Sequence, residues 1–393
     1  MTNETLPPLD TEALLDHAMH VTGLSEFGEP GFAGRLGLMV ERIRARGLNA
    51  EGQRAAAGVL AGLLADRLRL FDDHLRLNLA NERIDRPVIA TGEPRSGTTL
   101  LHALLGEDPQ ARVARFWAIM HPSPPAGLAA ADDPRIAQAD EEWREILRLI
   151  PKWMISHPYN DMLGNGLPEC ERFWALDLRM PTPTAWWRVP MAPFYDLPQD
   201  HARQYAIHKM MLQAMQHGAP PGRHWALKGT SHHLRLAALF QAYPDARVIW
   251  THRDPVQIIA SRIQLIGEII EGIAGSVDWA ALAAETLAMT RGALAAILAD
   301  PLVDDPRIHH VRYQDFTRDQ AGTIGKAYAY FGMPFTPEYE GRIGAWLAGN
   351  RPDRYGKFRY SADLIGVDVE ALHREFAPYR ARFGIDIDTP KHA

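Results

Sequence analysis

Between Pro87 and Leu105 the chain reads as strand, glycine loop and helix, and that order restricts its fold more than any other feature. Pro87-Val-Ile-Ala90 is a short apolar run that ends in Thr91-Gly92, the pattern of a buried strand. From Gly92 the loop follows G-x-x-x-x-G to Gly97, and Thr98 onward, with Leu100, Leu101, Leu104 and Leu105, opens a helix. Such a unit suits a phosphate-like anion. Its glycines let backbone come close, and the helix start offers unpaired N–H groups and a favourable dipole. A nucleotide triphosphatase needs Lys directly after the second glycine, to reach the β- and γ-phosphates. Here that residue is Thr98, and the only cation in the loop is Arg95. The expectation is an anion other than a triphosphate. It would be held by Arg95, by the hydroxyls of Ser96, Thr98 and Thr99, and by the amides of Ser96, Gly97, Thr98 and Thr99. A plain strand-to-helix turn would not need six such residues in succession after a buried strand.

Three more strand candidates follow: Trp225-Ala-Leu227, Arg247-Val-Ile-Trp-Thr251 and Ile308-His-His-Val-Arg312. Helical patterns separate them, at roughly 201–217, 233–243, 255–271 and 277–299. Short buried strands alternating with helices predict an α/β fold, a P-loop-type parallel sheet flanked by helices. Ligands in such sheets sit beyond the carboxyl ends of the strands. That rule groups Thr91–Thr99, Lys228–His232 and His252–Asp254. Residues 1–85 read as an N-terminal helical segment, with Val59, Leu63, Leu68 and Phe71 near helical spacing and a packing role only. Residues 86–393 read as the main domain, the whole forming one compact unit. The stretch 110–200 is rich in Pro and Trp and too apolar for a disordered linker, so it reads as an insertion packed on the sheet.

Composition bounds the partners. The chain has 393 residues and a formal net charge of −6, so an anion site must be local and nucleic acid is not an expected partner. Cys170 is the single cysteine, which excludes an intrachain disulfide and a multi-cysteine metal site. The first ten residues lack the apolar core of a signal peptide, and no uninterrupted apolar run approaches the roughly 18 residues of a membrane span. The expectation is a cytoplasmic, soluble protein. Its oligomeric state is left open, a homo-oligomer included.

Two further constellations carry chemistry. In His252-Arg-Asp-Pro255, Asp254 suits an N-cap and Pro255 a first helical residue. Arg253 then sits at a strand's carboxyl end, with Ser261 two turns along the helix. Arg253 reads equally well as an anion ligand or as a salt-bridge partner. In Leu227-Lys-Gly-Thr-Ser-His-His233, Lys228 can neutralise an anion, and His232 or His233 titrates in the range of a general base. With 17 histidines in the chain, position alone singles out His232.

These residues resemble the sulfotransferases that use 3′-phosphoadenosine 5′-phosphosulfate (PAPS), in particular the bacterial branch related to tyrosylprotein sulfotransferases. Pro94-Arg-Ser-Gly-Thr-Thr-Leu100 is similar to that family's 5′-phosphosulfate loop. Arg253 and Ser261, eight apart after a strand, are similar to its 3′-phosphate pair. Lys228 to His232 resembles its L-K-S-P-x-H segment, with Gly229-Thr230 in place of S-P. His157-Pro158, Leu167-Pro-Glu-Cys170 and Arg354-Tyr-Gly-Lys-Phe-Arg-Tyr-Ser361 also look like family features. The resemblance covers roughly residues 86–370 and explains the missing lysine: PAPS has one 5′-phosphate bearing a sulfuryl group, and its second phosphate is on the ribose. In one place the chain departs from the family: Phe116-Trp117 is followed by Ala118, where relatives often carry a carboxylate.

The resemblance implies in-line sulfuryl transfer through a loose transition state, by analogy with phosphoryl transfer. Arg95, the loop amides and Lys228 would stabilise charge. His232 would take the acceptor's proton, with Glu169 and His157 as rival bases. Glu169 reads equally well as a salt-bridge partner of a nearby Arg. The late segment Arg354, Tyr355, Gly356 and Lys357 would fold over the 3′-phosphate, unless it is solvated surface. No metal is expected. The acceptor expected is a small or lipophilic alcohol or phenol, on the motive of Trp186, Trp187, Phe194 and Tyr195, which core packing explains as readily. The rivals are a P-loop small-molecule kinase, which would want Lys at position 98, and a nucleotide-binding protein without a catalytic base.

Overall fold

The computed structural model describes residues 6–159, 161–179, 200–220 and 223–388. The aromatic run Trp186, Trp187, Phe194 and Tyr195 lies outside them. The chain gathers into two units. One is Met1–Ile84, Ala114–Leu149 and Leu163–Pro221, and the other is Asp85–Val113, Ile150–Met162 and Gly222–Ala393.

The first unit is helical. Asp10 caps Thr11–Thr22 by accepting from the amides of Glu12 and Ala13, and Asn49 caps Ala50–Arg76 through the amide of Gly52. Leu14, Leu36, Met39, Leu60, Leu64 and Leu68 fill its interior at helical spacing. A buried pair, Arg67 Nη1 to Asp177 Oδ1 at 2.9 Å, ties the long helix to the 3₁₀ segment Cys170–Asp177. Burial is the largest cause that pulls the Arg67 guanidinium down to about 8.

The second unit carries the sheet. Its strands are β1 (Val88–Thr91), β2 (Ala111–Val113), β3 (His224–Lys228), β4 (Arg247–His252) and β5 (Ile308–Arg312), in the order β2-β3-β1-β4-β5. All pairs are parallel, with Ile89 opposite Leu227, Ala90 opposite Ile249 and Trp250 opposite His310. The α/β expectation therefore holds. β2 was not anticipated, because three residues with Arg112 at their centre carry no strand signal. Helices follow the strands: Thr98–Leu105, Leu236–Ala242, Pro255–Ala274 and Tyr313–Arg318. Val88, Ala90, Leu104, Ile249, Phe316 and Tyr328 belong to the core beneath the sheet's outgoing loops.

One helix among the described residues, Trp279–Ala299, is long and apolar enough to cross a membrane. It carries Glu285 and Arg291, and it buries Leu282, Thr286, Leu287, Thr290, Leu294 and Ile297 along one face. That is the spacing of a helix packed on a core.

Candidate active site

The parallel order brings the ends of β1, β3 and β4 side by side, and the loops after them hold most of the residues singled out by sequence. The turn after β1 is closed by a backbone only glycine tolerates. Gly92 has φ 142°, and a Cβ there would stand 2.3 Å from the carbonyl oxygen of Thr251. Gly97 has φ 92° and lies against the Tyr313 ring, 3.0 Å from where a Cβ would be. Ser96 shapes this turn from within. Its amide and its hydroxyl both donate to Glu93 O, at 3.1 and 2.6 Å, and the hydroxyl is 2.8 Å from Thr251 Oγ1. Ser96 is wholly buried, so it stiffens the loop where sequence reading made it a ligand contact. The helix Thr98–Leu105 then starts with no side-chain cap on its first amides.

Arg95 has φ 75°, a positive angle unusual for a non-glycine residue, and this turns its side chain toward the next strand's helix. Its Nε donates to Ser261 Oγ at 3.0 Å and its Nη1 to Ser156 O at 3.2 Å, while Phe358 lies under the guanidinium at 4.9 Å. Arg253 is locked from three sides. Nη1 donates to Arg95 O at 3.0 Å, Nη2 to Tyr360 Oη at 2.9 Å and Nε to Asp388 Oδ2 at 3.1 Å, and the Tyr313 ring lies 4.3 Å away. Burial works against its charge, but Tyr313, Tyr360 and Asp388 outweigh that and hold it protonated beyond its ordinary range. Of the two sequence readings of Arg253, the salt bridge is visible, and the residue directly follows the carboxyl end of β4.

Asp254 caps Pro255–Ala274 as expected, accepting from Val256 N at 3.2 Å. Its other oxygen accepts from Asp388 N at 3.1 Å, and Gln314 Nε2 donates to Asp388 Oδ1 at 2.9 Å. A chain of hydrogen-bonded rings lies behind this tail segment, with His252 and Tyr379 buried and His310 half-buried. His310 Nε2 is 2.9 Å from Val303 O, which can only accept, so that nitrogen carries the proton. His310 Nδ1 then accepts from His252 Nε2 at 2.8 Å, and His252 Nδ1 accepts from Tyr379 Oη at 2.7 Å. Burial first, then His310, His233 and Arg382, hold His252 well below its ordinary range and neutral.

The candidate bases differ sharply in setting. His232 is fully buried in the turn after Lys228, and burial, then Arg235 and His233, pull it down to about 3. His157 follows the short helix Trp153–Ser156, stacks on Trp153 at 4.2 Å and holds Ser156 Oγ at 3.0 Å through Nδ1. Burial lowers its basicity well below the usual value, and the Arg95 and Lys228 charges lower it further. The charges of those two cations therefore act on His157. Lys228 closes β3 and is buried. Glu169 belongs to the first unit, at the start of Cys170–Asp177.

The late basic segment makes two sets of contacts. Arg354 donates from Nε to Pro158 O at 3.0 Å and pairs with Asp161 at 2.9 Å, and Tyr355 Oη donates to Asp161 at 3.1 Å. Gly356 has φ 113° and faces Ile155, and Lys357 is exposed. The segment thus packs on the stretch that bears His157, and its aromatic members, Phe358 and Tyr360, are the ones that meet Arg95 and Arg253. Sequence reasoning gave no role to Ser156 or Asp388, and none to Phe358 and Tyr360 although both lie in the Arg354–Ser361 segment it singled out. Ser156 directly precedes His157-Pro158, and spacing marks none of the four.

The model of the sulfotransferase family matches residues 87–337 of the chain. A relative, the omega-hydroxy-beta-dihydromenaquinone-9 sulfotransferase Stf3 of Mycobacterium bovis, is 23% identical over 324 residues, spanning 79% of this chain and 78% of its own length. Among solved structures, the sulfotransferase STF9 from Mycobacterium avium is similar with a TM-score of 0.78 and 27% identity, covering 98% of each chain. The fold is also that of sulfotransferase STF1 from Mycobacterium tuberculosis H37Rv, with a TM-score of 0.71 and 24% identity over 95% of this chain and 100% of that one. The chain belongs to the sulfotransferase family, and it is an enzyme of that class.

Proposed function

We propose that this sulfotransferase carries the sulfuryl group of PAPS to the hydroxyl of a small or lipophilic alcohol or phenol. The observation that carries the reading is the double join at Arg95. Its side chain reaches Ser261 while its carbonyl receives Arg253, so two cations and a buried hydroxyl share one frame. A donor with a 5′-phosphosulfate and a separate 3′-phosphate needs two such anion positions. The residues present fit a phosphate group: a helix start without a side-chain cap, and glycines at 92 and 97 whose missing Cβ atoms leave backbone open.

Bound there, the donor supplies an activated sulfuryl group, whose S–O bond to the 5′-phosphate breaks as one to the acceptor oxygen forms. Arg95, Lys228 and the amides of Thr98 and Thr99 stabilise the negative charge that this leaves on the phosphate side. Arg253 and Ser261 hold the 3′-phosphate, with Gly97 and Ser96 setting the loop. Arg354, Tyr355 and Gly356 support the segment that bears His157.

The proton acceptor is assigned to His157. The charges of Arg95 and Lys228 act on it, and a bound anion that offsets them raises its basicity at the moment it is needed. His232, the base first indicated by position, is sealed and only weakly basic in this structure. Glu169 remains a third base to be tested by substitution.

The acceptor class rests on the relative named for omega-hydroxy-beta-dihydromenaquinone-9 and on the Pro/Trp-rich run of the sequence. A kinase is disfavoured by Thr98, where the phosphate-binding Lys would stand. The test is transfer from labelled PAPS across a panel of alkyl alcohols, phenols and hydroxylated isoprenoids, without added metal. Label in at least one hydroxyl product supports the reading, and phosphorylation from ATP·Mg²⁺ in its place overturns it.

A further inference from the structure

Glu93 puts a carboxylate inside the loop that the proposed reading makes an anion site. It stands between Gly92 and Pro94, two residues before Arg95, and is 3% exposed. Charges buried together are poorly screened, so an ionised carboxylate here repels any anion the loop takes up. The structure answers this with His233. Its Nε2 lies 2.9 Å from Glu93 Oε1, and it is itself buried.

The imidazole is fixed in place from the other side. The His233 amide donates to Thr91 Oγ1 at 3.2 Å, and that hydroxyl donates to Gly229 O at 2.7 Å. Ring Nδ1 is 3.4 Å from the same hydroxyl, and Trp250 packs 5.2 Å away. The pair thus joins the loop after β1 to the loop after β3, the strand whose last residue is Lys228. Other charged or titratable groups face it. Arg262 acts on Glu93, Tyr379 lies near Glu93, and His232 and His252 lie near His233. Burial works to raise Glu93, but the His233 hydrogen bond and charge outweigh it and leave the carboxyl below its ordinary range.

We propose that His233 is a positioning residue of the anion loop: it holds and masks the Glu93 carboxylate, and so lets the loop accept an anionic donor. This rests on the reading of the Arg95 loop as the donor's anion site. The pair is a charge and its mask, so removing both members should restore what removing the mask alone destroys. A role in packing alone predicts the reverse, since two substitutions disturb a core more than one.

The experiment is calorimetric binding of 3′,5′-adenosine bisphosphate and of inorganic pyrophosphate to the wild type, His233→Leu, Glu93→Gln and the double variant. At pH 8, His233→Leu should weaken both anions by about tenfold, and the double variant should return to within about threefold of wild type. Relative to wild type, the loss in His233→Leu should shrink toward pH 6, as the stranded carboxyl takes up a proton. In turnover, KM for the donor should rise more than kcat falls. No loss in His233→Leu, or an equal loss in the double variant, overturns the proposal. If His233→Leu is not recovered folded, the double variant decides: near wild-type affinity supports masking, and a tenfold loss overturns it. Pyrophosphate showing this pattern while bisphosphate fails to bind wild type would overturn the donor reading and leave masking standing. Binding of neither anion to wild type would overturn both.

Discussion

Arg95 Nε and Ser261 Oγ are 3.0 Å apart, although 166 residues of chain separate them. This bond fixes the loop cation against the helix that follows β4. It makes Arg95 a group aimed in advance, with little reorganisation left for the moment of reaction. Removing such a donor costs about 10²–10³ in rate. Arg95→Ala should lose at least that much in kcat at saturating donor, measured by single-turnover transfer. Arg95→Lys should recover little, because a point charge cannot reach Ser261 and Ser156 O together. Turnover of Arg95→Ala near the wild-type rate would remove the loop from the mechanism.

The Asp388 carboxylate sits on the cation assigned to the 3′-phosphate. A phosphate arriving at Arg253 Nε must displace it. Asp388→Asn removes the competing charge and keeps the shape. The bisphosphate should then bind about three- to tenfold more tightly, read by calorimetry. Weaker binding would instead make Asp388 a strut that holds Arg253 in position.

The two histidines offered as bases separate by substitution. His157→Ala should lower kcat by about 10²–10⁴ with a smaller change in donor KM, and should remove the acidic limb of the pH–rate profile. His232→Ala should lower stability more than it lowers kcat per folded molecule. A large kcat loss confined to His232→Ala would return the base to the turn after β3.

His232 also predicts a pH dependence of stability. Its folded value of about 3 lies below the ordinary 6.5. Between those values the unfolded chain binds one more proton, so stability is complete above about pH 6.5 and falls as pH drops. The loss from this residue is about 2 kcal/mol at pH 5. His157 and His252, depressed in the same direction, add to it. Urea midpoints at pH 7.5 and 5 should converge in His232→Gln relative to wild type. An unchanged slope in the variant would contradict a buried neutral His232.

What could be read from the sequence was local chemistry. A strand followed by Gly92 and Gly97, and a strand followed by Asp254-Pro255, announce themselves because cap, turn and period lie within ten residues. The parallel sheet follows from them. β2 escaped notice because an edge strand of three residues needs no apolar run. The surroundings of the two arginines escaped because they come from far away in the chain. Ser156, Phe358, Tyr360 and Asp388 reach Arg95 and Arg253 only through the folded path, which no periodicity encodes. The partners of the basic segment come from far away too: Arg354 meets Pro158 O and Asp161. Ser96 looked like a ligand donor because its partners Glu93 O and Thr251 Oγ1 are invisible in a motif.

Whether two phosphates are read by two sites is tested by thermal unfolding with 3′,5′-adenosine bisphosphate, AMP and ATP·Mg²⁺, in wild type and Arg253→Ala. A ligand at a hundredfold excess over its Kd adds about 2.7 kcal/mol to the native state. The wild type should shift strongly with bisphosphate and little with AMP, and Arg253→Ala should lose that difference. Equal shifts with AMP and bisphosphate, or a shift with ATP·Mg²⁺ alone, would contradict the two-site reading.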